Sequence, residues 1–158
     1  MSFEKAKNHL IKKGFEDRVM EFDVSSATVE LAAKAVGCEP QEIAKTMSFL
    51  LPEDKAILIV TAGDTKIDNQ KFKAIFQTKA KMISFEDVGR FIGHEVGGVC
   101  PFGINEGVSV YFDESLHRFD YIYPACGSSN SAVRLTCEDL EKAVDDFRWI
   151  DVCKLIEN

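Results

Sequence analysis

Two apolar runs separated by three residues set the first limit on this chain. AKTMSFLL (44–51) and KAILIVTA (55–62) are joined by Pro52-Glu53-Asp54. Each run has strand length and the join is turn chemistry, so the pair reads as a β-hairpin. VMEFD (19–23) precedes it as a short strand, and VSVYFD, DYIYP, AVRL and RWIDVC follow it as further short β runs. Between these lie helical patterns. Residues 2–13 repeat Phe3, Ala6, Leu10 and Ile11 at helical spacing and stop at Gly14. Ser26 can cap ATVELAAKAVG, which Gly37 ends, and Pro40 can open a further turn. Asp68 can cap a helix through Phe76. Ser84 with Asp87, and Thr136 with Asp139, resemble capping boxes, the second opening a helix to about Phe147. Helices and strands mix without regular β-α-β alternation. The expectation is one α+β domain over residues 1–158, with a mixed, mostly antiparallel, curled and barrel-like sheet flanked by helices.

The 46% hydrophobic fraction suffices for a core at 158 residues. No apolar run approaches the roughly 20 residues of a membrane helix, and MSFEKAKNHLIKKGF has no signal-peptide core. A cytoplasmic protein with no membrane partner is expected. The five cysteines (Cys38, Cys100, Cys126, Cys137, Cys153) are odd in number and form no C-x-x-C pair, and His9, His94 and His117 lack metal-ligand spacing. No disulfide framework, metal or cofactor is expected. The net charge of −7 argues against a broad nucleic-acid grip, DNA included. Residues 64–81 nevertheless carry five Lys against two Asp, while residues 136–158 carry seven acids against three bases. A basic strip on an acidic body is either a solvated helix face or a place for one end of a polyanion.

Three stretches carry candidate chemistry. In EVGGVCPFG (95–103), glycines admit close backbone approach and Pro101 stiffens the chain. Such a loop is either a tight turn or a run of N–H donors able to stabilise an oxyanion, worth on the order of 3–4 kcal/mol per donor. Cys100 within it is a pocket-lining thiol, a buried hydrophobe, or a nucleophile served by His94. Lys45, where the apolar run begins, is an edge charge or a cation at a pocket mouth. YPACGSSNSAVRL (123–135) has the small and hydroxyl residues of a cavity wall or phosphate turn.

Taken in order, AKTMSFLL, EVGGVCPFG and YPACGSSNSAVRL followed by TCEDL resemble the YbaK/ProX family of aminoacyl-tRNA deacylases, which includes the editing domain of bacterial prolyl-tRNA synthetases. The likeness covers roughly residues 20–150. It implies a trans-editing hydrolase that cleaves the ester between a non-cognate amino acid and the 3′ end of a tRNA, a proline tRNA carrying alanine or cysteine. It implies partners, too: the tRNA acceptor end and prolyl-tRNA synthetase. By motif match, Lys45 takes the place of the family lysine, and Gly97, with Gly98, and Pro101 that of the Gly-x-x-x-Pro loop. Substrate-binding positions implied beside them are Val99, Gly127 and Ser128, with Phe49, Cys100 and Phe102 as a wall that is equally readable as plain core. Cysteine-specific members tend to carry a Ser-Gly-Gly-Lys-Arg run where this chain reads Ala125-Cys126-Gly127-Ser128-Ser129. That departure opens the choice of amino acid. The alternative is a non-catalytic module of the same fold that binds a tRNA end or a synthetase.

Overall fold

The computed structural model describes residues 2–156. Its helices are α1 (Ser2–Lys12), α2 (Val29–Val36), α3 (Asn69–Phe76), α4 (Phe85–Ile92) and α5 (Cys137–Ala143). Its strands are β1 (Val19–Glu21), β2 (Ile43–Leu51), β3 (Lys55–Ala62), β4 (Thr65–Ile67), β5 (Ser109–Asp113), β6 (Tyr123–Pro124), β7 (Ser131–Val133), β8 (Arg148–Ile150) and β9 (Cys153–Leu155). The α+β class is as expected, and so is the hairpin: β2 and β3 pair antiparallel from Ala44↔Ala62 to Leu51↔Lys55 across a 3-10 turn at Pro52–Asp54.

The hairpin is the centre of a mixed, curled five-stranded sheet in the order β6-β2-β3-β5-β8. Only β2–β3 is antiparallel in it; β2–β6, β3–β5 and β5–β8 are parallel. Two small antiparallel sheets, β1–β7 and β4–β9, complete the set. The antiparallel share of the main sheet is therefore lower than expected. Long connections, one holding α3 and α4, return β5 and β8 in the same direction as β3, and short runs do not reveal that direction in sequence.

β3 is buried from Ala56 to Ala62, as a central strand covered on both faces must be. Period-2 alternation sorts its side chains. Val60 and Ala62 pack with Ala6 and Leu10 of α1 and Leu140 and Ala143 of α5, and Leu58 packs with Val88 and Ile92 of α4. Ile57 and Ile59 turn the other way, against Phe72 of α3, Val152 and Cys153. At the β6 edge, Ala32 and Ala33 of α2 cover Ile43.

Several local expectations hold for local reasons. The Asp68 carboxylate accepts from Gln70 and Lys71 N–H, and Thr136 with Asp139 forms a reciprocal capping box. Others were decided by tertiary contacts. α2 is capped by Thr28, not Ser26, because Ser26 is tied to the 129–131 segment: its N–H donates to Ser129 C=O at 2.6 Å and its hydroxyl to Ser131 C=O at 3.3 Å. The Ser84 hydroxyl caps no backbone N–H of α4; it donates to Asp87 Oδ2 at 3.1 Å. α5 ends at Ala143, where the His9 ring meets the terminal C=O at 2.6 Å, and Phe147 leaves to stack on Phe112 at 4.8 Å. RWIDVC divides into β8 and the start of β9, and β4 has no counterpart among the expected strands.

Candidate active site

A cavity of about 410 Å³ opens at an unfilled stretch of the β2 edge. β3 occupies one edge of β2 throughout. On the other, β6 pairs only with Ile43 and Ala44. The chain returns to that edge at Met82, bridged to Phe49, with Leu50 N–H donating to Lys81 C=O at 2.9 Å and Ile83 N–H to Ser48 C=O at 3.1 Å. Residues 45–47 lie in the gap. Ser48 and Leu50 spend backbone groups on this edge, so Thr46, of the same parity, presents its own N–H and C=O to it. Thr46 Oγ1 is also buried without a hydrogen-bond partner among the described residues.

Lys45 is the one charged residue lining this cavity among the described residues. Alternation sends its side chain to the face of Met47 and Phe49, while Thr46 and Ser48 take the other face. The cavity meets both because it sits at the edge of the sheet. The Lys45 ammonium donates to the C=O of Thr65 in β4. Burial pulls its pKa below the ordinary lysine value, opposed by Cys153, Asp64 and Glu30. Asp64, one residue before the acceptor carbonyl, is held by Arg118 through bonds of 2.6 and 3.1 Å.

A second wall comes from the glycine-rich loop. Gly97 (φ +89°) lines the cavity, and a Cβ there would stand 3.2 Å from Ser129 Cβ and 3.3 Å from Ala27 Cβ. Gly98 donates its N–H to Glu95 C=O at 3.1 Å, and Pro101 has none to give. The N–H groups of Gly97, Val99 and Cys100 have no hydrogen-bond partner among the described residues, and Gly97 and Val99 line the cavity. Two residues with unspent N–H donors thus lie on the wall of a hollow whose single charged lining residue, among the described residues, is a lysine. Such a set suits an electron-rich oxygen rather than a cation.

Residues 24–143 match the family described as the aminoacyl-tRNA editing domain. The chain belongs to the aminoacyl-tRNA editing domain family. This editing domain is 48% identical over 154 residues to the uncharacterised protein YwhH of Bacillus subtilis (strain 168), covering 98% of each chain. It is 26% identical over 127 residues to a proline–tRNA ligase of Bacillus licheniformis, a match spanning 73% of this chain and 22% of the ligase. Among solved structures, it superimposes with a TM-score of 0.86 on one described as a proposed trans-editing enzyme for prolyl-tRNA synthetase, at 27% identity and 97% coverage of both chains.

The editing domain distributes the residues singled out from sequence over two environments. Lys45, Gly97 and Val99 line the cavity. Gly98 does not; its Cα faces the Gly127–Ser128 peptide. Pro101 is buried, Ser128 supports the wall through Ser131, whose hydroxyl accepts from Ser128 Oγ at 2.8 Å and from Cys126 N–H at 3.2 Å, and the Gly127 carbonyl accepts from the Ser2 hydroxyl. Phe49 packs on Phe72 of α3, with ring centroids 5.2 Å apart, and Cys100 and Phe102 are sealed in the α1–α5 core. None of these last three lines the cavity.

Cys100 is also chemically quiet. Burial pushes its thiol far above the ordinary range, and the thiol donates to Phe102 C=O at 3.7 Å. His94 Nε2 lies 3.5 Å from that sulfur but 2.6 Å from the same carbonyl. A ring nitrogen that close to a carbonyl carries the proton, so it has no lone pair with which to deprotonate the thiol. Cys38 and Cys137 are pushed up to about 11, and Cys126 and Cys153 to about 12, all chiefly by burial.

Tyr123 and Ser131 line the cavity within the stretch read from sequence as a possible cavity wall, whereas sequence reasoning did not single out Thr46 or the apolar rim of Met82, Phe85 and Val96, which line it too. The rim had one usable signal: MISF places two large apolar residues on either side of a helix cap.

Proposed function

We propose that this protein is a trans-editing deacylase that hydrolyses the ester of a mischarged tRNA, with proline tRNA carrying alanine or cysteine as the first substrates to test. The observation that carries the reading is the presence around one cavity, among the described residues, of Lys45 as its sole charged lining residue and of Gly97 and Val99, whose N–H groups have no partner. Water adds to the ester carbonyl carbon, and the carbonyl oxygen becomes an oxyanion. The two N–H donors and the lysine are suited to that charge. Collapse breaks the bond to the ribose oxygen, which takes the proton given up by water, leaving free amino acid and a tRNA with its hydroxyl restored. No His, Asp or Glu lines the cavity among the described residues. Proton transfer therefore falls to water and the substrate's own ribose hydroxyl, which an activated ester tolerates because positioning lowers much of the barrier.

The family, the likeness to a proline–tRNA ligase and the superposition on a proposed trans-editing enzyme support this reading. Residues 1–158 would act as one editing unit, with a prolyl-tRNA synthetase as partner. Small lining residues such as Ala44, Ala125 and Ala132 suit a compact side chain, although each methylene discriminates by only roughly 1–3 kcal/mol.

The deciding assay follows release of amino acid from a panel of mischarged tRNAs. Wild type should deacylate at least one, and Lys45→Ala should lower the rate about 100-fold or more. A folded wild type that leaves every one intact overturns the proposal. The bond between the Lys45 ammonium and the Thr65 carbonyl favours a second reading, a tRNA-end binding module without turnover. That reading expects tRNA binding and no release.

A further inference from the structure

We propose that Phe85 and Met82, with Lys79 and Lys81 behind them, form the landing platform for the unpaired 3′ end of the RNA. The terminal base stacks on the Phe85 ring, and the preceding phosphates run over the lysines. The proposal rests on the cavity being an aminoacyl-ester site, and it adds how the rest of the acceptor end is held.

Phe85 is the first residue of α4 and is 77% exposed, although Val88 and Ile92 of the same helix are buried. Met82 is 60% exposed and Val96 43% exposed. All three line the cavity, so exposed apolar side chains form a rim at its mouth. The rim is anchored, because Met82 is bridged to Phe49 and flanked by the backbone bonds of Lys81 and Ile83 to β2. A large aromatic ring held in solvent beside a cavity is a surface for a flat partner.

Charge selects among flat partners. From Asn69 to Lys81 the chain carries four lysines and no acid on a molecule of net charge −7. Lys71 pairs with Asp151 at 2.8 Å, whereas Lys73, Lys79 and Lys81 are exposed and form no ion pair among the described residues. Lys79 and Lys81 lead directly into Met82. Cations followed by an aromatic are the arrangement that single-stranded nucleic acid recognises, phosphate on lysine and base on ring. A second copy of this acidic chain, or a partner protein, would need only the apolar part.

The test is binding, kept separate from turnover. A fluorescent RNA minihelix ending in single-stranded ACCA is titrated by anisotropy, alongside one lacking the terminal adenosine. Phe85→Ala should weaken the full minihelix about tenfold, and Phe85→Tyr should restore it. Removing the terminal adenosine should weaken binding to wild type but make little further difference to Phe85→Ala. Lys79→Ala and Lys81→Ala should each lower the salt slope by about 0.7. Wild type that fails to bind the minihelix, Phe85→Ala that binds as well as wild type, or equal loss of affinity in both proteins on removing the adenosine overturns the platform. So does loss of self-association or of binding to a purified prolyl-tRNA synthetase in Phe85→Ala with RNA binding unchanged, since that assigns the rim to a protein. Intact, Phe85-dependent RNA binding with no deacylation of any mischarged tRNA would instead remove the catalytic reading and leave the platform standing.

Discussion

The Cα of Gly98 rests against the peptide joining Gly127 to Ser128, so closely that a Cβ at position 98 would lie 2.6 Å from Ser128 Cα and closer still to the peptide itself. Two loops almost thirty residues apart in sequence are thereby clasped backbone to backbone, and the clasp holds one wall of the cavity. Gly98→Ala should accordingly destabilise the fold by about 2–4 kcal/mol, because the opposing atoms are main chain and cannot step aside. In a domain of this size that is a drop of roughly 5–15 °C in Tm, readable by calorimetry. A loss below 2 °C would mean that the two loops separate freely in solution.

Thr46→Val keeps the shape of a side chain whose hydroxyl oxygen is buried without a partner. Removing such a group should leave stability unchanged or raise it by up to about 1 kcal/mol. Deacylation should fall about tenfold if that oxygen, beside the open edge of β2, meets the substrate. Urea denaturation and single-turnover kinetics on the same samples separate the two effects. A loss of stability with unchanged rate would assign the hydroxyl to the fold alone.

Cys100→Ala should retain deacylation within about threefold while costing about 1–2 kcal/mol of stability from the vacated core volume. Iodoacetamide should leave native wild type active, since the thiol is sealed and held protonated. Rapid inactivation with labelling at Cys100 would revive the thiol mechanism.

The Asp64 carboxyl is held below its ordinary pKa, first by the hydrogen bonds from Arg118. A depressed carboxylate stabilises the fold above its unfolded pKa, near 4, and the contribution disappears as pH falls through the folded value. Asp64→Asn should therefore cost about 0.5–1 kcal/mol at neutral pH, a modest figure because the pair is about one third exposed. The gap from wild type should close at acid pH. Denaturant midpoints measured at pH 7 and below pH 3 check the sign; a gap that widens in acid would contradict it.

Much of the fold was legible where neighbours in sequence settle the matter. The Pro52–Asp54 turn, the Asp68 cap and the Thr136–Asp139 box are short-range devices, and each forms as read. Strand direction in the main sheet was not legible, because β5, β6 and β8 are too short to carry it. The order of the three motifs pointed to the right family, and of the residues singled out beside it Lys45, Gly97 and Val99 line the cavity. Phe49, Cys100 and Phe102 had the composition of a wall but lie in the core, since apolarity alone does not say which face of a strand or loop a side chain takes.

By itself the sequence determined the hairpin, the helix caps and the presence of a stiff glycine-rich loop, because turn and cap chemistry acts over a few bonds. Tertiary structure alone decided that Gly98 is a packing glycine while Gly97 and Val99, whose N–H groups have no partner among the described residues, line a cavity. It also decided that the Lys45 ammonium rests on Thr65, and that Phe85 stands in solvent at the cavity mouth. These depend on which distant backbone segments satisfy one another's polar groups and exclude one another's volume, and that is settled only when the chain has closed on itself.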